Sequence, residues 1–151
     1  MDAVTAIDRV QSVLDETGLE CRRHGPRAWM VAVPLTRRGP LGVAVSAGER
    51  TLDLRTFVMR GPDRAHEDVY RRLLRKNLGL SVWRFALDDA GDVFAVADVP
   101  LEGLDADGLD GVLGLLATTV DGIYEAILRT GFDVPDGTVL TAPPPASGGG
   151  H

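Results

Sequence analysis

His66-Glu67 opens like the helix of a zinc protease, which requires a second histidine four residues after the first. Tyr70 stands at that position. One imidazole cannot hold zinc on that face, so His66 is expected at the surface near a helix start. Ala44-Val45-Ser46-Ala47-Gly48 has the composition of a nucleophile elbow, but an elbow needs a strand, a sharp turn and a helix. Ser46 instead leads from one strand-like run into another. Asp105, Asp107 and Asp110 suggest a calcium loop, yet a count from Asp105 puts Leu109 on a ligand position, Asp110 on the glycine and Leu116 on the bidentate acid. A count from Asp88 puts Val93 on the glycine. Acids at a helix start act more simply as caps and dipole partners, each contributing about 0.3–1 kcal/mol. Neither glycine-rich phosphate cradle occurs. Cys21 is the only cysteine, so it forms no internal disulfide and cannot alone build a thiolate metal site. Arg22 and Arg23 would lower its pKa if they lie near the thiol, although a half-buried, unreactive thiol is the plainer expectation. The residues therefore predict no catalytic group, no cofactor and no metal.

Binding chemistry is less sparse. Arg71, Arg72, Arg75 and Lys76 form the strongest basic cluster, and Lys76 is the only lysine. They suit nucleic acid or an acidic partner. A solvated helix face explains them too, if Glu67–Arg71 and Asp68–Arg72 pair at i,i+4. No aromatic interleaving favours nucleic acid, and the net charge of −6 repels phosphate backbones. Trp29 and Trp83, the only tryptophans, lie in strand patterns. Core packing is their default role; the alternative is an anchor for a protein partner, with Met30 and Phe85 beside them.

Elements that would position these groups follow from periodicity. Val4, Ile7, Val10, Val13 and Leu14 recur at helical spacing, with Asp2 as a cap and Gly18 as a stop. Ala28 to Leu35, Leu41 to Ser46 and Thr51 to Met59 are rich in β-branched and aromatic residues and predict three strands. Their short connections make an antiparallel meander. Leu19 to Arg23 could add a further short strand. Asp63 is a candidate cap for a helix over Ala65 to Leu78, with Val69, Tyr70, Leu73 and Leu74 buried and Gly79 as a left-handed stop. Two more strands, Ser81 to Leu87 and Val93 to Val99, flank the hairpin signal Asp88-Asp89-Ala90-Gly91-Asp92. A last helix starts between Asp105 and Asp110 and runs to about Thr130.

The order α-βββ-α-ββ-α predicts an α+β fold with a five-stranded antiparallel sheet. The length of 151 residues and 44% hydrophobic content suit one domain, residues 1–132, followed by a flexible Pro/Gly-rich tail over 133–151. No apolar run approaches a membrane span and no signal peptide is apparent. A cytoplasmic protein is expected.

Tyr70-Arg71-Arg72-Leu73-Leu74-Arg75-Lys76-Asn77 carries a Leu-Leu-x-x-Asn element, followed by Phe85-Ala86-Leu87-Asp88, Gly91-Asp92-Val93 and Val99-Pro100-Leu101. With Trp29, Thr56-Phe57-Val58 and the Gly131-Phe132 step, this resembles the YbjN family over roughly Asp2 to Phe132. The resemblance implies a type III secretion chaperone-like fold, a curved antiparallel sheet packed with helices, and commonly a homodimer. Some of its members are labelled sensory transduction regulators. It implies no reaction and no cofactor. Asn77 belongs to the motif, and its place near a helix end suits a capping or turn role. The leading expectation is a non-enzymatic protein-interaction module, chaperone-like or regulatory, with an unidentified protein partner. A small-molecule-binding domain or cryptic enzyme with a sheet–helix pocket is the first alternative. A nucleic-acid-associated regulator is the second.

Overall fold

The computed structural model describes residues 3–35 and 39–133. Helix α1 (Ala3–Glu16) is followed by strands β1 (Cys21–Gly25), β2 (Ala28–Val33), β3 (Leu41–Ala47) and β4 (Thr51–Met59). Helix α2 (His66–Leu78), strands β5 (Arg84–Leu87) and β6 (Val93–Pro100), and helices α3 (Ala106–Asp121) and α4 (Tyr124–Gly131) complete the elements among the described residues. One six-stranded sheet results, in the order β1-β2-β3-β4-β6-β5, and every adjacent pair is antiparallel. The sixth strand is β1, in the region where a short extra strand was conceivable. Because β6 lies between β4 and β5, those two run the same way, and α2 carries the chain between them.

Alternation of side chains sorts the strands into two faces. Trp29, Val31, Val33, Val43, Val45, Leu52, Leu54, Phe85, Val93, Ala95 and Ala97 are buried under the helices. Helix α1 adds Ala6, Val10, Val13 and Leu14, and α3 and α4 add Leu109, Leu113, Leu116, Val120, Ile127 and Leu128. Gly18 ends α1 with φ of 74°, a left-handed position that suits glycine. Arg9 Nη2 ties α1 to the loop before α3 by donating to the Leu104 carbonyl at 2.6 Å. The β5–β6 hairpin forms as its composition predicts. Asp88 Oδ1 accepts from the Ala90 and Asp92 amides at 3.0 and 2.9 Å, and Gly91 takes φ of 83°.

Four local expectations need correction. The last helix is broken at Gly122-Ile123 into α3 and α4. Together, Ala106–Gly131 is long and apolar enough by length and composition to cross a bilayer, but here its apolar side packs on the sheet. Strand β5 starts at Arg84 rather than Ser81, because Val82 sits at φ of 69° and the Trp83 amide turns back to the Ser81 carbonyl at 2.7 Å. Asp63 does not cap α2, which follows Ala65 in the left-handed region with no side-chain cap. Its carboxylate is held instead by the Arg60 guanidinium at 2.6 Å and accepts from the Asp133 amide at 2.8 Å. Gly79 has φ of −101°, and its amide reaches the Lys76 carbonyl in a tightened last turn rather than a left-handed stop. The expected cap at Asp2 lies outside the described residues, as does the tail beyond Asp133.

Candidate protein-interaction surface

Helix α2 divides its side chains three ways. Val69 and Leu73 enter the core. Leu74 and Leu78 do not: they are 70% and 92% exposed. One helical turn separates them, so they form a short apolar stripe of their own. Grouping Leu74 with Val69 and Leu73 as a single buried face is therefore incorrect. The i,i+4 pair Leu74–Leu78, lying off the Val69–Leu73 line, was the available signal. Leu87, at the end of β5, is nearly half exposed and lies across from Leu74. Between them, Tyr70, Leu73, Leu74, Phe85, Ala86 and Leu87 line an apolar groove of about 120 Å³.

Asn77 builds this region. Its Oδ1 accepts from the Phe85 amide at 2.8 Å, and its Nδ2 donates to the Phe85 carbonyl at 3.0 Å. The side chain thus acts as a one-residue strand partner on the outer edge of β5. A capping or turn role is not what the structure shows. Tyr70 Oη adds a second link by donating to the Gly91 carbonyl at 3.3 Å. Trp83, next to β5, is buried and donates from Nε1 to the Val112 carbonyl of α3 at 2.7 Å.

The four sequence-derived anchor candidates do not form one surface. Trp29, Trp83 and Phe85 are buried in the core; Met30 is half-buried on the helix-free face of the sheet. Trp29 Nε1 donates to Gln11 Oε1 of α1 at 2.8 Å, and the Arg23 guanidinium lies 4.9 Å from its ring. Around Met30 that face also carries Phe57 and Phe94, packed edge to face at 5.6 Å, with the Arg55 guanidinium 4.1 Å from the Phe94 ring.

Residues weighed for chemistry fall into structural places. Asp105 caps α3 by accepting from the Gly108 amide at 2.7 Å. Exposed His66 sets its ring edgewise to Tyr70. Ser46 is exposed within β3, between strands. Burial raises the Cys21 pKa, and the Asp15 carboxylate raises it further, so Arg22 and Arg23 do not make it a thiolate. Among the described residues, no group of three His, Cys, Asp or Glu is placed to hold a metal ion. Of the basic cluster, Arg71 pairs with Glu67 at 2.6 Å; the expected Asp68–Arg72 pair does not form.

The YbjN family, described as "Putative bacterial sensory transduction regulator", matches residues 6–129. The Mycobacterium tuberculosis protein Rv0487 is 36% identical over 128 residues, covering 82% of this chain and 70% of that protein. A chain of the ExsC–ExsE complex superposes with a TM-score of 0.60 at 20% identity, covering 82% of this chain and 94% of that one. A chain of the complex between the Yersinia pestis type III secretion chaperone SycH and a stable fragment of YscM2 gives 0.54 at 20% identity, covering 78% and 98%. At these identities the likeness is one of fold.

Proposed function

The chain belongs to the YbjN family, and from that premise we propose that it is a non-enzymatic protein-interaction module, chaperone-like or regulatory, that works as a homodimer. The observation that carries this reading is the pair of exposed leucines Leu74 and Leu78 on α2, with the half-exposed Leu87 lining the same groove as Leu74. Apolar side chains clustered on a surface mark contact sites more often than scattered ones do. The stripe spans α2 and the end of the edge strand β5. A second copy can therefore present the same patch to it in an isologous contact. Structures of the same fold that have been solved as complexes with protein partners support the protein-binding part. The helix-free sheet face, with Met30, Phe57 and Phe94 around Arg55, remains available to a partner while the stripe is covered.

Light scattering over a micromolar concentration series tests the dimer. The expected mass is twice the 16.1 kDa of the chain. A constant mass of 16.1 kDa overturns the reading.

A further inference from the structure

Helix α2 has a second free flank, opposite in character to the leucine stripe. Toward α4 it presents Arg72, Arg75 and Lys76, which form the wall of a cleft of about 790 Å³. The other wall and floor are Ile123, Ala126 and Ile127, at and just after the break between α3 and α4. Asp68 is the only carboxylate among the lining residues. Arg71, at the outer end, already has Glu67. Among the described residues, Arg72, Arg75 and Lys76 have no carboxylate within ion-pair distance.

That arrangement is not what a merely solvated helix face would show. Arg72–Arg75 and Arg72–Lys76 are like charges at i,i+3 and i,i+4, each mildly destabilising to the helix. They sit on a chain with a net charge of −6, where acidic partners are plentiful in composition. A concave site with an apolar floor and a cationic wall complements a ligand that is anionic on one side and apolar on the other. We propose that the α2–α4 cleft binds an acidic amphipathic segment of a partner protein, its carboxylates on Arg72, Arg75 and Lys76 and its apolar residues on Ile123 and Ala126. This site is separate from the leucine stripe and does not require the dimer.

The test uses the full chain and a labelled synthetic helical peptide with Leu on one face and Glu on the other, read by fluorescence polarisation. Saturable binding is expected. It should weaken about tenfold in the triple variant Arg72→Gln/Arg75→Gln/Lys76→Gln, the combined effect of three rim charge pairs. The variant Arg22→Gln/Arg50→Gln/Arg84→Gln, which removes the same charge from exposed positions outside the cleft, should bind as the parent does. Ala126→Glu, which places a carboxylate in the floor, should abolish binding. Circular dichroism confirms that each variant is folded. No saturable binding, or equal loss in both triple variants, overturns the proposal. Equal affinity for a single-stranded oligonucleotide, lost in the Arg72/Arg75/Lys76 triple variant, also overturns it and assigns the cleft to nucleic acid.

Discussion

Leu78→Ser isolates the contribution of the leucine stripe to self-association. The side chain is 92% exposed in the single chain, so the substitution should change folding stability by no more than about 0.5 kcal/mol. In an isologous dimer the same side chain is buried twice, once from each copy. Burying a leucine contributes about 1.5–3 kcal/mol. Loss of both copies therefore costs about 3–6 kcal/mol of dimer stability, which raises the dimer Kd by roughly two to four orders of magnitude. Sedimentation equilibrium measures this directly: the parent chain should fit a monomer–dimer equilibrium, and Leu78→Ser should sediment near 16.1 kDa at every usable concentration. Leu115→Ser, on α3 and 41% exposed, is a control from a different helix and should leave the equilibrium unchanged. Urea unfolding confirms that both variants are folded. An unchanged Kd in Leu78→Ser would show that the stripe is not the dimer contact.

Asn77→Ala removes both bonds to Phe85 and leaves a half-buried amide and carbonyl without partners, for a loss of about 1–3 kcal/mol in urea unfolding. A loss under about 0.5 kcal/mol would mean that water replaces the side chain. Gly131→Ala would place a Cβ 2.5 Å from Val69 Cγ2 and 3.0 Å from Pro62 Cβ. Overpacking of about 1–3 kcal/mol exceeds the ~1 kcal/mol of helix propensity gained, so the melting temperature should fall; a rise would contradict the packing. The hydrogen bond from Arg60 holds the Asp63 pKa below the ordinary carboxylate value. A carboxyl whose folded pKa is depressed contributes stability above its unfolded pKa and loses it as the pH falls through the folded one. Asp63→Asn should therefore flatten the acid limb of the stability–pH curve and leave its neutral region's slope alone; an unchanged acid limb would count against the ion pair.

The parts of the fold legible in the sequence are those written in local chemistry. Asp88 and Gly91 specify their hairpin, Asp105 its cap, Gly18 the end of α1, and the alternation in β3 its buried side. The parts that were not legible depend on neighbours distant in the chain. Asn77 meets Phe85 only when α2 lies against β5. Leu74 is exposed because the sheet reaches only as far as β5 under that helix, and no periodicity reports where a sheet stops. Asp63 is taken by Arg60 and by the amide of Asp133, which lies 70 residues further along the chain, so it is lost to α2 as a cap. The tryptophans have aromatic chemistry that serves a core and an interface equally well. Their partners, Gln11 and the Val112 carbonyl, decided their placement.

The two ends of the sheet differ in valence. Phe85 presents its amide and carbonyl outward from β5, and Asn77 occupies both. At the other end no strand among the described residues pairs with the outer side of β1. Sheets that can accept a strand at both ends are the repeating units of fibres, since each addition regenerates the site it used. A sheet with one stopped end adds a single strand and has nothing further to offer. On this account the Asn77 amide works as a local stop: an incoming strand would have to displace it to pair with Phe85 on the outer side of β5.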